Sequence, residues 1–206
     1  MKLTVTTFQT LDGVMQAPGG AEEDTSGGFD QGGWVAPHFD AEVNEFMTGV
    51  FERPEAFLLG RRTYEIFAAH WPHAADPDDP IANGLNVLPK YVASTTLTSV
   101  EWENSSLLEG DVARAVSELK ARDGGELQVH GSANLIQTLN EHGLVDEYNV
   151  LTFPVIVGGG KRLFESGAKP AGLEPVSSTK TPSGVTIDVW RTAGAPQRAE
   201  AAELDR

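Results

Sequence analysis

The chain has 206 residues, 40% hydrophobic and 22% charged, which is a globular composition and the length of one α/β domain. It has no apolar run near the roughly 20 residues a bilayer span requires, and its formal net charge of −15 argues against a broad nucleic-acid or anionic-membrane surface. The absence of cysteine excludes disulfides and thiolate metal ligands. A cytoplasmic location is the default expectation.

Lys2 to Phe8 alternates Leu3, Val5 and Thr7 against Thr4, Thr6 and Phe8, and its β-branched content predicts a strand rather than a leader. Gln9 to Pro37 carries Gly13, Pro18-Gly19-Gly20, Gly27-Gly28 and Gly32-Gly33, the pattern of a long lid or binding loop. Asp40 caps a predicted helix whose apolar residues Val43, Phe46, Met47, Val50 and Phe51 form one stripe, and Pro54 ends it. Ala56-Phe57-Leu58-Leu59 is a short apolar run stopped by Gly60, as in a buried parallel strand. Arg61-Arg62 follows, and a helix is expected from about Thr63 to Ala69.

Ala74 to Asn86 reads as a loop. His70 and His73 are a poor metal pair across Pro72, and no metal is expected. Strands are predicted at Pro89–Ser94 and Val100–Glu103, then an Asp111-capped helix ended by Gly124-Gly125. The strand Leu127–His130 runs into Gly131-Ser132-Ala133-Asn134 and a helix through Leu135, Ile136 and Leu139. Asp146–Phe153 is the next strand, followed by Gly158-Gly159-Gly160 and Lys161-Arg162. Leu173–Lys180 and Val185–Arg191 close the pattern as a hairpin around Thr181-Pro182-Ser183-Gly184. Alternating strands and helices imply an α/β fold: a three-layer α/β/α arrangement with a mixed, mainly parallel sheet ending in an antiparallel hairpin. Residues 1–192 form the expected domain, with 193–206 a flexible tail.

Two strand–glycine–helix junctions stand out, Gly60 to Thr63 and Gly131 to Asn134. Each places backbone N–H groups and a helix's positive end at one point, where a phosphate can bind. Arg61 and Arg62 would add charge-assisted donors to the first. Read alone, Arg61-Arg62 and Lys161-Arg162 are equally well explained as solvated surface pairs. Ser94-Thr95-Thr96 lies just past a strand end, either facing a crevice or forming a plain turn. His130 reads as a structural side chain or a base.

The order of these pieces resembles the dihydrofolate reductase superfamily, through Gly60-Arg61-Arg62-Thr63-Tyr64-Glu65, Ser94-Thr95-Thr96 and His130-Gly131-Ser132-Ala133-Asn134. Leu11-Asp12-Gly13 and the run from Phe153 to Phe164 are similar to its RibD C-terminal, deaminase-reductase branch. The resemblance covers residues 2 to 192. It implies an NADPH-dependent reductase similar to the 5-amino-6-(5-phosphoribosylamino)uracil reductase of riboflavin biosynthesis. Gly60 to Thr63 would face the cofactor phosphates, with Arg61 or Arg62 near the 2′-phosphate. Ser94, Thr95 and Thr96 would meet the adenosine phosphate, and Gly131, Ser132, Ala133 and Asn134 the pyrophosphate. Thr7 and Phe8 would line the nicotinamide side. Asp12 is the candidate for polarising substrate or relaying a proton, and Thr152 a candidate pocket residue. The helix position where dihydrofolate reductases carry a carboxylate aligns with Asn44, which cannot act as that acid. The resemblance also implies a small-molecule substrate and a homodimer. Lys161-Arg162 belongs either to a substrate-phosphate site or to the sheet edge. The rival readings are pterin reduction and a non-catalytic NADPH-binding module.

Overall fold

The computed structural model describes residues 1–74 and 79–198. Its centre is an eight-stranded sheet. The strands are β1 Lys2–Thr10, β2 Pro54–Gly60, β3 Lys90–Ala93, β4 Ser105–Leu107, β5 Glu126–Val129, β6 Glu147–Phe153, β7 Leu173–Lys180 and β8 Thr186–Thr192. The spatial order is β4-β3-β2-β5-β1-β6-β8-β7. The first six pair in parallel, while β8 lies antiparallel to both β6 and β7. The expected mixed sheet with a terminal hairpin is therefore present.

Among the described residues five α-helices cover the two faces: α1 Ala41–Phe51, α2 Arg61–His70, α3 Pro80–Val87, α4 Val112–Lys120 and α5 Ala133–Glu141. The strand period of two sorts side chains between them. Phe57, Leu59, Leu151 and Phe153 point to the face holding Val43, Val50, Tyr64 and Leu85. Ala56, Leu58, Tyr148 and Val150 point to the opposite face, with Val116, Ile136 and Leu139. Burying a side chain such as Phe57, 0% exposed, contributes about 2–3 kcal/mol.

Two local expectations are corrected. The second half of the predicted loop 74–86 is helical, forming α3 up to its last residue Val87, and residues 75–78 lie outside the described set. Asp79 caps α3 by accepting from the Ile81 amide at 2.9 Å, and Pro80 occupies the first turn. At the other end the buried Lys90 ammonium donates to the carbonyls of Leu85 at 2.7 Å and Leu88 at 2.9 Å, satisfying groups a helix C-terminus leaves unpaired. The predicted strand Val100–Glu103 does not form. The Tyr64 hydroxyl accepts from the amides of Glu101 at 3.0 Å and Trp102 at 3.1 Å, taking the place of a neighbouring strand. The strand in this region begins further along the chain, as β4.

After β8 the Ala193 amide donates to the Gly172 carbonyl and the Gly172 amide to the Gly194 carbonyl, both at 2.8 Å. Residues 199–206 lie outside the described set. No described helix is long and apolar enough to cross a membrane.

Chain progression runs from β1 outward to β4, returns to insert β5 between β2 and β1, then places β6 on the far side of β1. The carboxyl ends of β2, β5 and β1 consequently open side by side, where an α/β sheet leaves a crevice.

Candidate functional site

A cleft of about 580 Å³ occupies that edge. Its walls include Thr7 and Phe8 of β1, Met47 and Phe51 of α1, Arg62 and Thr63 of α2, and the turn Gly131 to Ala133. The long loop after β1 closes it with Gln16 to Gly20 and Asp24. Loop 9–37 is anchored by Trp34, buried with its ring 5.5 Å from that of Phe153.

The two glycine junctions meet at the cleft floor, where the Gly131–Ser132 peptide is cis. The Gly60 amide donates to the Gly131 carbonyl at 3.0 Å. A Cβ on Gly60 would collide with the Ser132 hydroxyl, and one on Gly131 (φ +144°) would lie 2.5 Å from Thr63 Oγ1. Only glycine permits so close an approach of the two turns.

Capping separates the helices into two groups. α1, α3 and α4 each start at an aspartate, Asp40, Asp79 or Asp111, whose side chain accepts a first-turn amide. α2 and α5, the two helices that begin at the cleft, start at Gly60 and Ser132 with no side-chain cap and no acid in the first turn. Among the described residues their leading N–H groups have no side-chain acceptor, which is the chemistry of an anion site.

The structure brings Thr7, Phe8, Arg62, Thr63, Gly131, Ser132 and Ala133 to the cleft, with Gly60 buried beneath. Arg61 stands on the outer side of α2, 3.0 Å from Glu65. Ser94, Thr95 and Thr96 sit just past β3, outside the cleft walls. Ser94 Oγ accepts there from the amides of Thr96 at 3.1 Å and Leu97 at 2.9 Å. Asn134 is exposed on α5.

The three candidate residues for the substrate side, Asp12, Asn44 and Thr152, lie outside the cleft walls as well. Asp12 is absent from the cleft walls. Its carboxylate accepts from Thr10 Oγ1 at 2.6 Å and from the amides of Gly158 at 2.9 Å and Val157 at 3.3 Å, clamping the turn after β1 to the 154–160 segment. The Thr10 hydroxyl chiefly, with those amides, lowers its pKa, so it is an ionised acceptor rather than a proton donor. Asn44 is exposed: the buried residues of α1 are Val43, Met47, Val50 and Phe51, and about 100° per residue carries Asn44 past that stripe. Thr152 lies outside the cleft and accepts from Gln9 Nε2 at 3.1 Å.

The basic pair after the glycine triplet divides. Lys161 lines the cleft, donating to Asp24 Oδ2 at 2.5 Å and Ser26 Oγ at 2.7 Å. Arg162 turns away to the Gly158 carbonyl at 3.2 Å. Asp24 also receives Arg62 Nη2 at 3.1 Å. Burial alone would raise its pKa. Hydrogen bonds from Lys161, Ser26 and Arg62 outweigh that and hold it at about 2. Asp24 sits in a glycine-rich loop with no periodicity, and no local signal marks it.

His130 lines the cleft with its ring stacked on Phe51, centroids 4.7 Å apart. Its Nε2 is 3.3 Å from Gln128 Oε1. The Gln128 amide nitrogen donates to Val50 O at 2.7 Å and Glu126 Oε2 at 3.0 Å, which fixes Oε1 toward the ring. The network therefore assigns the proton to Nε2 and leaves Nδ1 an acceptor. Burial pushes the ring's pKa down to about 4, so it is neutral near pH 7. The position before Gly131 was the available signal.

A second, more open groove of about 710 Å³ runs along α2 and residues 99–103. Glu65, Glu101 and Glu103 line it without a lysine or arginine, which disfavours an anion there. Among the described residues no group of three metal-binding side chains occurs.

The chain belongs to the RibD C-terminal domain family, whose model matches residues 1–187. It is 26% identical over 187 residues to the uncharacterized protein YyaP of Bacillus subtilis, covering 90% of this chain and 92% of that one. Its fold is similar to a putative riboflavin biosynthesis protein from Shewanella sp. PV-4, with TM-score 0.65, 21% identity and coverage of 94% and 99%. It is also similar to Enterococcus faecalis dihydrofolate reductase complexed with NADP(H) and RAB-propyl, with TM-score 0.57, 12% identity and coverage of 93% and 96%. The fold is thus dihydrofolate reductase-like.

Proposed function

We propose that the chain is an NADPH-dependent reductase of the RibD C-terminal type. The observation that carries this reading is the pair of uncapped helix starts, α2 and α5, meeting at one cleft. The first-turn amides of both helices and the Thr63 hydroxyl suit a pyrophosphate, and Arg61 on the outer side of α2 suits a 2′-phosphate. NADPH bound there would supply a hydride to a C=N or C=O carbon of a small heterocyclic or ribosylamino substrate, leaving NADP⁺ while the substrate heteroatom takes a proton. The chain's own part is to orient and to exclude water. Phe8 and Phe51 form apolar walls, loop 9–37 covers the opening, and His130 offers one directional acceptor.

Saturable quenching or enhancement of NADPH fluorescence tests the cofactor assignment, and its absence sinks it. Among the described residues α1 sends no carboxylate into the cleft, which disfavours pterin reduction and is the observation favouring a non-catalytic NADPH-binding module. NADPH oxidation across a pterin and pyrimidine panel separates the two. The reading extends to a homodimer. It is supported by β7, an edge strand exposed along its whole length with Leu173 and Val176 outward, which offers unpaired backbone groups to a second copy.

A further inference from the structure

Building on the proposed anion site, we infer that Asp24 is a counter-ion built into the lid, and that a diphosphate entering the cleft has to displace it from Arg62 and Lys161. Histidines aside, the described cleft walls carry two cations, Arg62 of α2 and Lys161 between β6 and β7. One carboxylate of loop 9–37 holds both: Asp24 Oδ1 accepts from Arg62 Nη2 at 3.1 Å, and Oδ2 accepts from Lys161 Nζ at 2.5 Å. Ser26 Oγ takes a second Lys161 proton at 2.7 Å. Arg62 stands beside Thr63 in the first turn of α2, so Asp24 already neutralises the charge that a phosphate at that turn would meet.

The loop presents that carboxylate in a fixed place. Asp24 is 6% exposed, and the Ser26 amide donates to its Oδ1 at 3.1 Å. Gln16, also buried, donates from Nε2 to the carbonyls of Asp24 and Ser26, both at 2.9 Å, and its Oε1 accepts the Lys161 amide at 3.0 Å. The Trp34 indole donates to the Gln16 carbonyl at 3.1 Å. Among the described residues, segment 20–30 hydrogen-bonds to α2 through the Asp24 side chain alone. Asp24 is the pin between lid and helix.

An entering anion and Asp24 compete for the same two cations. If Asp24 stays, like charges share one site; if its partners are taken, a buried carboxylate is left unpaired. Moving segment 20–30 toward water removes that penalty, so seating the anion and releasing the lid are coupled. The exchange also sets a charge threshold. A ligand has to outmatch a carboxylate at both Arg62 and Lys161, and a diphosphate brings more charge and more acceptor oxygens than a carboxylate does. A lid whose pin survived binding would be tightened by the ligand instead.

The probe is inorganic pyrophosphate, titrated by calorimetry into the unmodified protein and into Asp24→Asn in the absence of NADPH. Binding about tenfold tighter in the variant is expected. Equal or weaker binding by a folded Asp24→Asn, or binding to neither protein, overturns the inference. Hydrogen exchange of the unmodified protein gives a second measurement that does not depend on how the variant folds. Deuterium uptake in segment 20–30 is expected to rise about twofold at saturating pyrophosphate, and unchanged or reduced uptake overturns the inference. NADPH fluorescence on the same preparation reports on the reductase reading separately: a protein that shows both pyrophosphate effects and no NADPH signal keeps the counter-ion and loses the cofactor.

Discussion

The backbone amide of Gly60 donates to the carbonyl of Gly131 at 3.0 Å, joining the ends of two strands distant in sequence and fixing the relative placement of the helices that follow. A methyl group at Gly131 would meet Thr63 Oγ1 at 2.5 Å in a backbone region that disfavours side chains. Gly131→Ala is expected to destabilise the fold by about 1–3 kcal/mol. It should also weaken NADPH binding at least tenfold, about 1.4 kcal/mol. Chemical unfolding and fluorescence titration of the same preparation check both.

The neighbouring arginines are expected to behave differently. Arg61 makes an exposed (i, i+4) pair with Glu65, worth about 0.3–0.5 kcal/mol. Arg61→Ala should leave the melting temperature nearly unchanged while reducing the preference for NADPH over NADH about tenfold, about 1.4 kcal/mol. Arg62→Ala removes a partner of Asp24 and should lower the melting temperature as well. Equal cofactor preference in Arg61→Ala and the parent would refute the 2′-phosphate assignment.

Asp24 provides an acid-side signature. Its folded pKa of about 2 lies below the ordinary 3.8, so its stabilisation is fully present above pH 3.8 and is lost as pH falls toward 2. A buried carboxylate held that far below its ordinary value stabilises the folded chain by about 2 kcal/mol at neutral pH. The stability gap between the parent and Asp24→Asn should be constant near pH 5 to 7 and close on acidification. Urea titrations at successive pH values measure it.

His130 acts in the next window up. Its folded pKa of about 4 lies below 6.5, so the unfolded chain binds more protons between those values and stability rises with pH across that window. His130→Phe should flatten that rise. The His130 C2–H resonance should titrate near pH 4, and NADPH affinity should show no inflection from this ring near pH 6.5.

Strand and helix periodicity made most of the sheet legible, because residues such as Phe57 and Leu58 face opposite apolar layers and must alternate. Helix α3 escaped because part of what holds it is non-local: Asn86, in its last turn, donates to the Trp71 carbonyl and accepts from the Trp102 indole. The residues 100–103 look strand-like, but their backbone partner is the Tyr64 side chain, far earlier in the chain. The glycine junctions were legible because their chemistry is local. Asp24 was not, since its importance comes from Gln16, Arg62 and Lys161, which only the folded loop brings together. The turn at Asp12 was legible, but its carboxylate's partners Val157 and Gly158 lie far along the chain.

The contrast between aspartate-capped helices and the bare starts of α2 and α5 bears on how long the protein survives. Free of ligand, those two first turns have no side-chain acceptor for their amides among the described residues, so they are the expected places for the fold to open first and for amide exchange or proteolysis to begin. An anion seated across both supplies the missing acceptors, and at about a hundredfold excess over its dissociation constant it adds about 2.7 kcal/mol to stability. The abundance of the protein would then follow the supply of that ligand, with turnover fastest where the ligand is scarce.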